Sequence, residues 1–227
     1  MGRVRRGLSP ADTLNPRVTA VFRAVFFDFG GVVLTSPFDA FASYEQRSGQ
    51  PEGFLRSVNA TNPDTNAWAQ LERGLIALDE FVVAFEEEAR SLGAEVDGRE
   101  VLACLSGELR PEMVEVVRRC SEQFVTALLT NNFVSDGPPA GGGAWDDVLA
   151  LFDVIVESSK VGVRKPDPRF YAMACELASV HPSEVVFLAD LGVNHKPARA
   201  LGMATIKVTD PALAITELES LLQTPLR

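Results

Sequence analysis

Four sets of polar residues stand out because each ends, or closely follows, a short apolar run. They are Asp28 in AVFFDFGGVVL (24–34), Thr130 and Asn131 in LLTNN, Lys165 in VGVRKPDP, and Asp190 in VFLAD. A carboxylate can attack phosphorus and carry a phosphoryl group as an acyl phosphate. A hydroxyl, an amide and a lysine can bind the oxygens that are transferred. These residue types therefore suit phosphoryl transfer.

Two carboxylates in one site also require a cation. Asp28 and Asp190 would repel each other side by side, and Mg²⁺, a hard ion that prefers oxygen ligands, would relieve that repulsion. Gly30 and Gly31 follow Asp28, and glycines permit a turn tight enough for backbone amides and a carbonyl to face the site. We therefore expect a magnesium site here.

The apolar runs that precede these residues are typical of strands. They are AVFFDF (24–29), FVTALLT (124–130), FDVIVES (152–158), EVVFLAD (184–190) and ATIKV (204–208). Continuous rather than alternating runs predict parallel strands covered on both faces. Helical segments lie between them, and Asp-Pro pairs at 167–168 and 210–211 predict two helix starts. The alternation predicts an α/β fold with a doubly wound, Rossmann-like parallel sheet, whose ligands lie at the strand carboxyl ends.

The interval between the first two strands is too long for a simple crossover. Its pattern is helical, and in LIALDEFVVAFEEEARSLG (75–93) one face carries Leu78, Phe81, Val82, Phe85 and Leu92. We interpret Phe81, Phe85 and Trp68 as core residues of an inserted cap.

The predicted organisation follows from this insertion. It comprises a disordered basic tail at 1–22, a core at 23–35 and 111–227, and a helical cap at 36–110. SDGPPAGGG (135–143) is predicted to be a flexible loop, because it is rich in glycine and proline.

Composition excludes several classes of function. Asp and Glu number 31 against 21 Lys and Arg, and the formal net charge of -10 argues against nucleic-acid or anionic-membrane partners. No apolar run approaches the roughly 20 residues of a membrane span, and the basic start lacks the apolar stretch of a secretory signal. Cys104, Cys120 and Cys175 lie far apart in apolar segments, which predicts free, buried thiols in a reducing compartment. We therefore expect a cytoplasmic protein.

The order Asp28, Thr130, Lys165, Asp190 resembles the four motifs of the haloacid dehalogenase-like (HAD) hydrolase superfamily, and the insertion resembles its C1-capped subgroup. The sequence is most similar to the N-terminal phosphatase domain of soluble epoxide hydrolase and its bacterial relatives. The stretches VGVRKPDPRFY (161–171) and HPSEVVFLADLGVNHKPARALGMATIKV (181–208) carry this similarity. It covers residues 24–34 and 111–222, whereas the cap matches only in length and helical character.

The resemblance implies a role for each motif residue. Asp28 would be the nucleophile and a Mg²⁺ ligand, with the Gly30 carbonyl and Asp190 as further ligands. Thr130 and Asn131 would hold the phosphoryl group of a small phosphorylated substrate. Lys165 would bridge that group and the nucleophile.

Gly30 departs from the family pattern. Phosphatases of this superfamily usually have an aspartate there that protonates the leaving oxygen, and a general acid contributes ~10²–10⁴ in rate. We expect a Mg²⁺-dependent phosphatase that forms an aspartyl-phosphate at Asp28. Two alternatives stay open: a metal-independent 2-haloacid dehalogenase with the same nucleophile, and a catalytically weak module that binds a phosphate ligand.

Several neighbours of the motifs have structural interpretations. Asn194 would either cap its helix or shape the site, and Asp28 could itself cap a turn. His181 and His195 are predicted to be exposed. Lys160 and Arg164 are predicted to be solvated neighbours of the Lys165 motif.

Overall fold

The computed structural model describes residues 21–133 and 143–227. Five strands form one parallel sheet in the order β3-β2-β1-β4-β5. They are β1 (Ala24–Phe27), β2 (Val125–Thr130), β3 (Val154–Glu157), β4 (Val185–Ala189) and β5 (Ala204–Lys207). All five predicted strands are present, and the doubly wound α/β class is confirmed.

Helices connect the strands and cover both faces of the sheet. They are α1 (Pro37–Ser48), α2 (Phe54–Ala60), α3 (Ala67–Glu72), α4 (Leu78–Ser91), α5 (Gly98–Ala103), α6 (Pro111–Ser121), α7 (Gly143–Leu149), α8 (Ser158–Val161), α9 (Pro168–Leu177), α10 (Gly192–Leu201) and α11 (Pro211–Leu222). None of the helices within the described residues is long and apolar enough to cross a membrane. The predicted tail (1–22) and loop (135–143) lie outside the described residues, apart from Val21, Phe22 and Gly143, where α7 begins.

The two Asp-Pro pairs begin helices as predicted. The Asp167 carboxylate accepts a hydrogen bond from the Arg169 amide at the start of α9. The Asp210 carboxylate accepts one from the Leu213 amide at the start of α11. Each aspartate thereby satisfies a backbone donor that has no partner within the helix.

Strand β1 lies at the centre of the sheet and is buried on both faces. Val25 and Phe27 belong to one apolar cluster, which α6 and α11 help to form. Ala24 and Phe26 point to the other face, into a cluster formed with α9 and α10. Because both faces of the sheet are covered, the side chains of β1 that point to either face must be apolar. This explains its continuous apolar sequence.

Residues 36–110, which we call the helical segment, contain helices α1–α5 and have their own apolar cluster. Trp68, Phe81 and Phe85 lie at its centre as predicted, with ring centroids of Trp68 and Phe81 4.6 Å apart. The chain enters and leaves this segment through adjacent backbone, since Leu34 and Leu109 form an antiparallel bridge. A long insertion can therefore interrupt the core between β1 and α6 without separating them.

Two smaller expectations are wrong. Leu92 does not share the buried face of α4, because the helix ends at Ser91 and Leu92 is 43% exposed. Cys104 is only partly buried, whereas Cys120 and Cys175 are buried and all three thiols are free.

Candidate active site

The parallel register brings the predicted residues to one edge of the sheet. Phe27 of β1 is level with Leu128 of β2 and with Leu188 of β4. Asp28 is the next residue after Phe27, and Thr130 and Asp190 follow Leu128 and Leu188 by two positions. These three residues therefore meet at the carboxyl ends of adjacent strands, where α/β sheets bind their ligands.

Asp28 is nearly buried, and donors surround its carboxylate. It is 7% exposed, and its Oδ1 accepts a 2.8 Å hydrogen bond from the Phe29 amide. Asp28 also caps the following turn (Phe29–Val33), so the structural role considered for it is present alongside its contacts in the site. Its Oδ2 accepts a 3.3 Å hydrogen bond from the side-chain Nδ2 of Asn194.

Lys165 forms a salt bridge with Asp28 through Oδ1 and is 2% exposed. Its ammonium also donates a 2.6 Å hydrogen bond to the Leu129 carbonyl in β2. A buried lysine is stable only when its charge is paired and its donors are used. The loop after β3 thus holds the one cation in contact with Asp28 within the described part of the chain.

Asp190 lies directly against the glycine turn that follows Asp28. A Cβ placed on Gly31 would come within 2.2 Å of Asp190 Oδ2. Gly31 has a φ of 75°, whereas Gly30 has a φ of -62° and open space around it. Burial, and then the negative charge of Asp28, raise the pKa of Asp190 to about 6.

Oxygen donors at this edge fit a magnesium ion. Asp28 and Asp190 provide two carboxylates, and after burial the charge of Asp28 is the second cause of the raised pKa of Asp190. No cluster of three or more His, Cys, Asp or Glu side chains suited to a metal occurs in residues 21–133 and 143–227. Mg²⁺ is usually bound by one or two carboxylates together with water and substrate oxygens, so two carboxylates suffice.

Thr130 and Asn131 have different surroundings. Within the described residues the Thr130 hydroxyl makes no hydrogen bond and is partly exposed, so it can meet a ligand. The Asn131 side chain is engaged: its Oδ1 accepts from the Lys165 amide at 2.9 Å, and its Nδ2 donates to the Lys165 carbonyl at 3.0 Å. Asn131 therefore clamps the backbone of the lysine loop.

Asn194 shapes the site rather than capping its helix. Leu191 is the N-cap of α10. Asn194 is buried within the first helical turn, and its side-chain amide donates a hydrogen bond to Asp28. Its backbone carbonyl accepts a 2.9 Å hydrogen bond from the Tyr171 hydroxyl. Burial, and then the charge of Asp28, raise the pKa of Tyr171, so this hydroxyl stays a donor.

His195 is buried, which corrects the prediction that it would be exposed. It is 3% exposed, and its Nε2 lies 3.1 Å from the Ala189 carbonyl. Its Nδ1 has no hydrogen-bond partner in the described residues. Burial lowers the pKa of His195, because a charged imidazole would be poorly solvated there. His181 is exposed as predicted.

The prediction that Arg164 is solvated is also wrong. Its side chain is 18% exposed, and its Nε lies 2.8 Å from Glu72 Oε2. Lys160 is exposed as predicted.

Glu72 was not identified from the sequence, although it lies four residues after the buried Trp68 and so on the same side of α3. A charged residue on the buried side of a helix is a signal that could have revealed it.

Comparison with known proteins assigns the family. Residues 22–202 match the family described as haloacid dehalogenase-like hydrolase. The chain belongs to this family. It is a hydrolase, and its Rossmann-like core is the HAD fold.

Three curated relatives match most of the chain. It is 34% identical over 216 residues to acyl-CoA dehydrogenase family member 10 of Mus musculus, covering 90% of this chain and 20% of that protein. It is 33% identical over 223 residues to bifunctional epoxide hydrolase 2 of Sus scrofa, covering 89% of this chain and 40% of that protein. The chain thus spans less than half of either relative. It is 28% identical to sesquiterpene phosphatase astK of Aspergillus oryzae, over 88% of this chain and 97% of that protein.

Solved structures agree in fold. A HAD family enzyme from Bacteroides thetaiotaomicron, in complex with magnesium and inorganic phosphate, aligns with a TM-score of 0.56 at 20% identity, covering 82% of this chain and 93% of that one. L-2-haloacid dehalogenase from Xanthobacter autotrophicus aligns with a TM-score of 0.58 at 19% identity, covering 91% and 85%. At these identities the alignments support the fold alone.

We predict that Gly31→Ala destabilises the protein much more than Gly30→Ala. Alanine at Gly31 would adopt a left-handed conformation, costing about 1–2 kcal/mol, and its Cβ would also displace Asp190. Alanine at Gly30 meets no atom within 4 Å. Urea unfolding of both variants measures the difference. Equal stabilities would mean that the turn does not hold Asp190 in this position.

We predict that His195→Leu makes stability less sensitive to acid. The pKa of His195 is lowered in the folded protein. Once the pH falls towards about 6.5, the ordinary pKa of histidine, His195 therefore binds protons more readily in the unfolded chain than in the folded one. The free energy of unfolding of the wild type should therefore fall, relative to that of the variant, as the pH drops from about 7.5 to 5.5. Asp190, with its raised pKa, acts in the opposite sense in both proteins. Parallel pH curves would contradict this account.

Proposed function

We propose that this hydrolase is a Mg²⁺-dependent phosphatase that acts on a small phosphorylated metabolite through an aspartyl-phosphate at Asp28. The observation that carries the proposal is the arrangement of Asp28, which contacts the buried Lys165 ammonium and precedes the glycine turn against which the Asp190 carboxylate lies. A nucleophilic carboxylate beside a fixed cation, with a second carboxylate available for a metal, suits attack on a phosphate ester.

In the first step an Asp28 oxygen bonds to phosphorus, and the bond between phosphorus and the leaving oxygen breaks. Lys165 would neutralise a phosphoryl oxygen while it keeps its contact with Asp28, and the Thr130 hydroxyl would donate to another. Mg²⁺ held by Asp28, Asp190 and the Gly30 carbonyl would supply further positive charge against those oxygens. In the second step water attacks phosphorus, which releases inorganic phosphate and restores the Asp28 carboxylate.

Gly30 limits the substrates on which this mechanism is efficient. No carboxyl at this position can protonate the leaving oxygen, which departs as an anion or takes its proton from water. Leaving groups that are already acidic, as in aryl or acyl phosphates, are therefore favoured.

The helical segment is proposed to act as a cap. The backbone contacts at Leu34 and Leu109 place its two ends together beside the glycine turn, as a hinge would require. A cap that closes over Asp28 would exclude water and select the substrate.

The relatives support this function. Sesquiterpene phosphatase astK matches along nearly its whole length, and bifunctional epoxide hydrolase 2 of Sus scrofa matches 89% of this chain.

One feature favours a second candidate function, a module that binds a phosphate ligand with little turnover. Gly30 removes the usual acid, while the phosphate-binding set of Thr130 and Lys165 remains. A metal-dependent burst with an activated aryl phosphate would distinguish the phosphatase from the binder. The dehalogenase alternative is disfavoured because it needs no metal, whereas Asp190 beside Asp28 suits a metal ligand, and a halide-release assay tests it.

We predict that Asp28→Asn abolishes turnover of an activated aryl phosphate, with a loss of more than about 100-fold. The amide preserves shape and can still accept a hydrogen bond from Lys165, but it is not a nucleophile. Circular dichroism checks that the variant is folded, and Asp79→Asn, an exposed position, is the matched control.

Excess chelator should stop wild-type turnover, and added Mg²⁺ should restore it. Full activity in Asp28→Asn, or in chelator, would contradict the proposal.

We also predict that wild-type kcat/KM falls steeply as the leaving-group pKa rises from aryl to alkyl phosphates. Gly30→Asp should raise activity on alkyl esters selectively, by up to ~10²–10⁴. Gly30 has an ordinary φ, and a Cβ there meets no atom within 4 Å, so the substitution introduces no left-handed strain and no clash at Cβ. Gly30→Asn is the control, with the same shape and no acid. A flat dependence for the wild type would mean that another residue already donates the proton.

A further inference from the structure

Glu72 brings the helical segment into contact with the catalytic loops. It ends α3, and its side chain is 17% exposed. Its Oε2 accepts a 3.1 Å hydrogen bond from Asn131 Nδ2 and lies 2.8 Å from Arg164 Nε. Asn131 follows β2 and Arg164 precedes Lys165. One carboxylate of the segment therefore joins two loops of the core.

The hydrogen bond from Asn131 is the better directed of the two contacts. Arg164 Nε has no hydrogen-bond partner by geometry within the described residues, so its contact with Glu72 is that of an ion pair. Burial raises the pKa of Glu72, and the charge of Arg164 opposes that shift. Arg164 thus favours the ionised carboxylate, which accepts the Asn131 hydrogen bond more strongly than a neutral acid would.

A continuous series of contacts leads from Glu72 to the nucleophile. Glu72 holds the Asn131 amide, and that amide binds both the N–H and the carbonyl of Lys165. The Lys165 ammonium in turn contacts Asp28. Each step is a direct polar contact. Asp28 and Lys165 are buried and Glu72 and Asn131 are partly buried, which limits the alternative positions of these side chains.

Close backbone packing supports the same junction. Gly74, two residues after Glu72, has a φ of 69°, and a Cβ there would come within 2.8 Å of the Ser159 carbonyl. Phe133, which follows the Asn131 loop, packs against the apolar cluster of the helical segment. The segment therefore rests on the core at the point where Glu72 reaches Asn131.

From these contacts we infer that Glu72 is a positioning residue for Lys165: it fixes the Asn131 clamp and thereby holds the ammonium on Asp28 when the helical segment lies against the core. The inference rests on the proposed function for its effect on turnover. It also revises the role expected for Asn131, whose side-chain amide is occupied by Lys165 and Glu72 and binds the lysine loop rather than a phosphoryl group.

The experiment separates this role from general structural support. Hydrogen exchange of the Lys165 amide, which needs no substrate, should be roughly tenfold faster in Glu72→Ala than in the wild type. Glu86→Gln is the control, because Glu86 bonds to the Gly98 amide within the helical segment; it should leave that exchange unchanged. Glu72→Gln keeps an acceptor for Asn131 and should restore most of the protection.

Turnover provides the second readout. Glu72→Ala should lower kcat roughly tenfold with little change in KM, and it should add little to the loss in Asn131→Ala, because both act through one clamp. Unchanged Lys165 exchange, or kcat losses that add fully in the double variant, would overturn the inference. A wild type that turns over no phosphate ester would instead refute the proposed function, and the exchange result would still decide whether Glu72 holds the clamp.

Discussion

The buried ion pair between Asp28 and Lys165 is the interaction on which the rest of the site depends. Neither charge would be stable in this environment alone, since removing one partner of a buried pair costs about 3–5 kcal/mol. Backbone groups complete the pair: the Phe29 amide donates to Asp28, and the Leu129 carbonyl accepts from Lys165. The central position of β1 makes this possible, because the ends of β2 and β4 lie on either side of it.

Asp190 gives the pair a different character from a purely structural salt bridge. Its carboxylate lies against Gly31, where any side chain would displace it, and Asp28 is one cause of its raised pKa. Two carboxylates and one ammonium leave a net negative charge in a largely buried site. A site of this kind attracts a divalent cation, and this is the physical argument for magnesium. In the proposed mechanism the helical segment has two roles: it covers the site and, through Glu72, it supports Lys165.

Sequence reasoning succeeded where the sheet itself brings residues together. Asp28, Thr130 and Asp190 each follow an apolar run, and parallel strands place such positions at one edge whatever else the chain does. The five strands and the helix starts at Asp167 and Asp210 followed from equally local patterns.

The predictions that failed concern side chains whose surroundings come from distant segments. His195 was predicted to be exposed, yet it is buried and its Nε2 lies 3.1 Å from the Ala189 carbonyl. Arg164 looked solvated because its partner, Glu72, lies far away in sequence. The contacts of the Asn131 side chain with the Lys165 backbone were not predicted, because they could not be read from either stretch alone. Tertiary contacts of this kind leave no periodic trace in the sequence.

The covalent intermediate at Asp28 is the central claim, and rapid quenching tests it most directly. The magnesium-loaded enzyme is mixed with an acyl phosphate, quenched in acid within the first turnover and analysed by peptide mass spectrometry. The account predicts that the peptide containing Asp28 gains one phosphoryl group, located on Asp28. Release of phosphate with no such adduct, or an adduct on another residue, would contradict it.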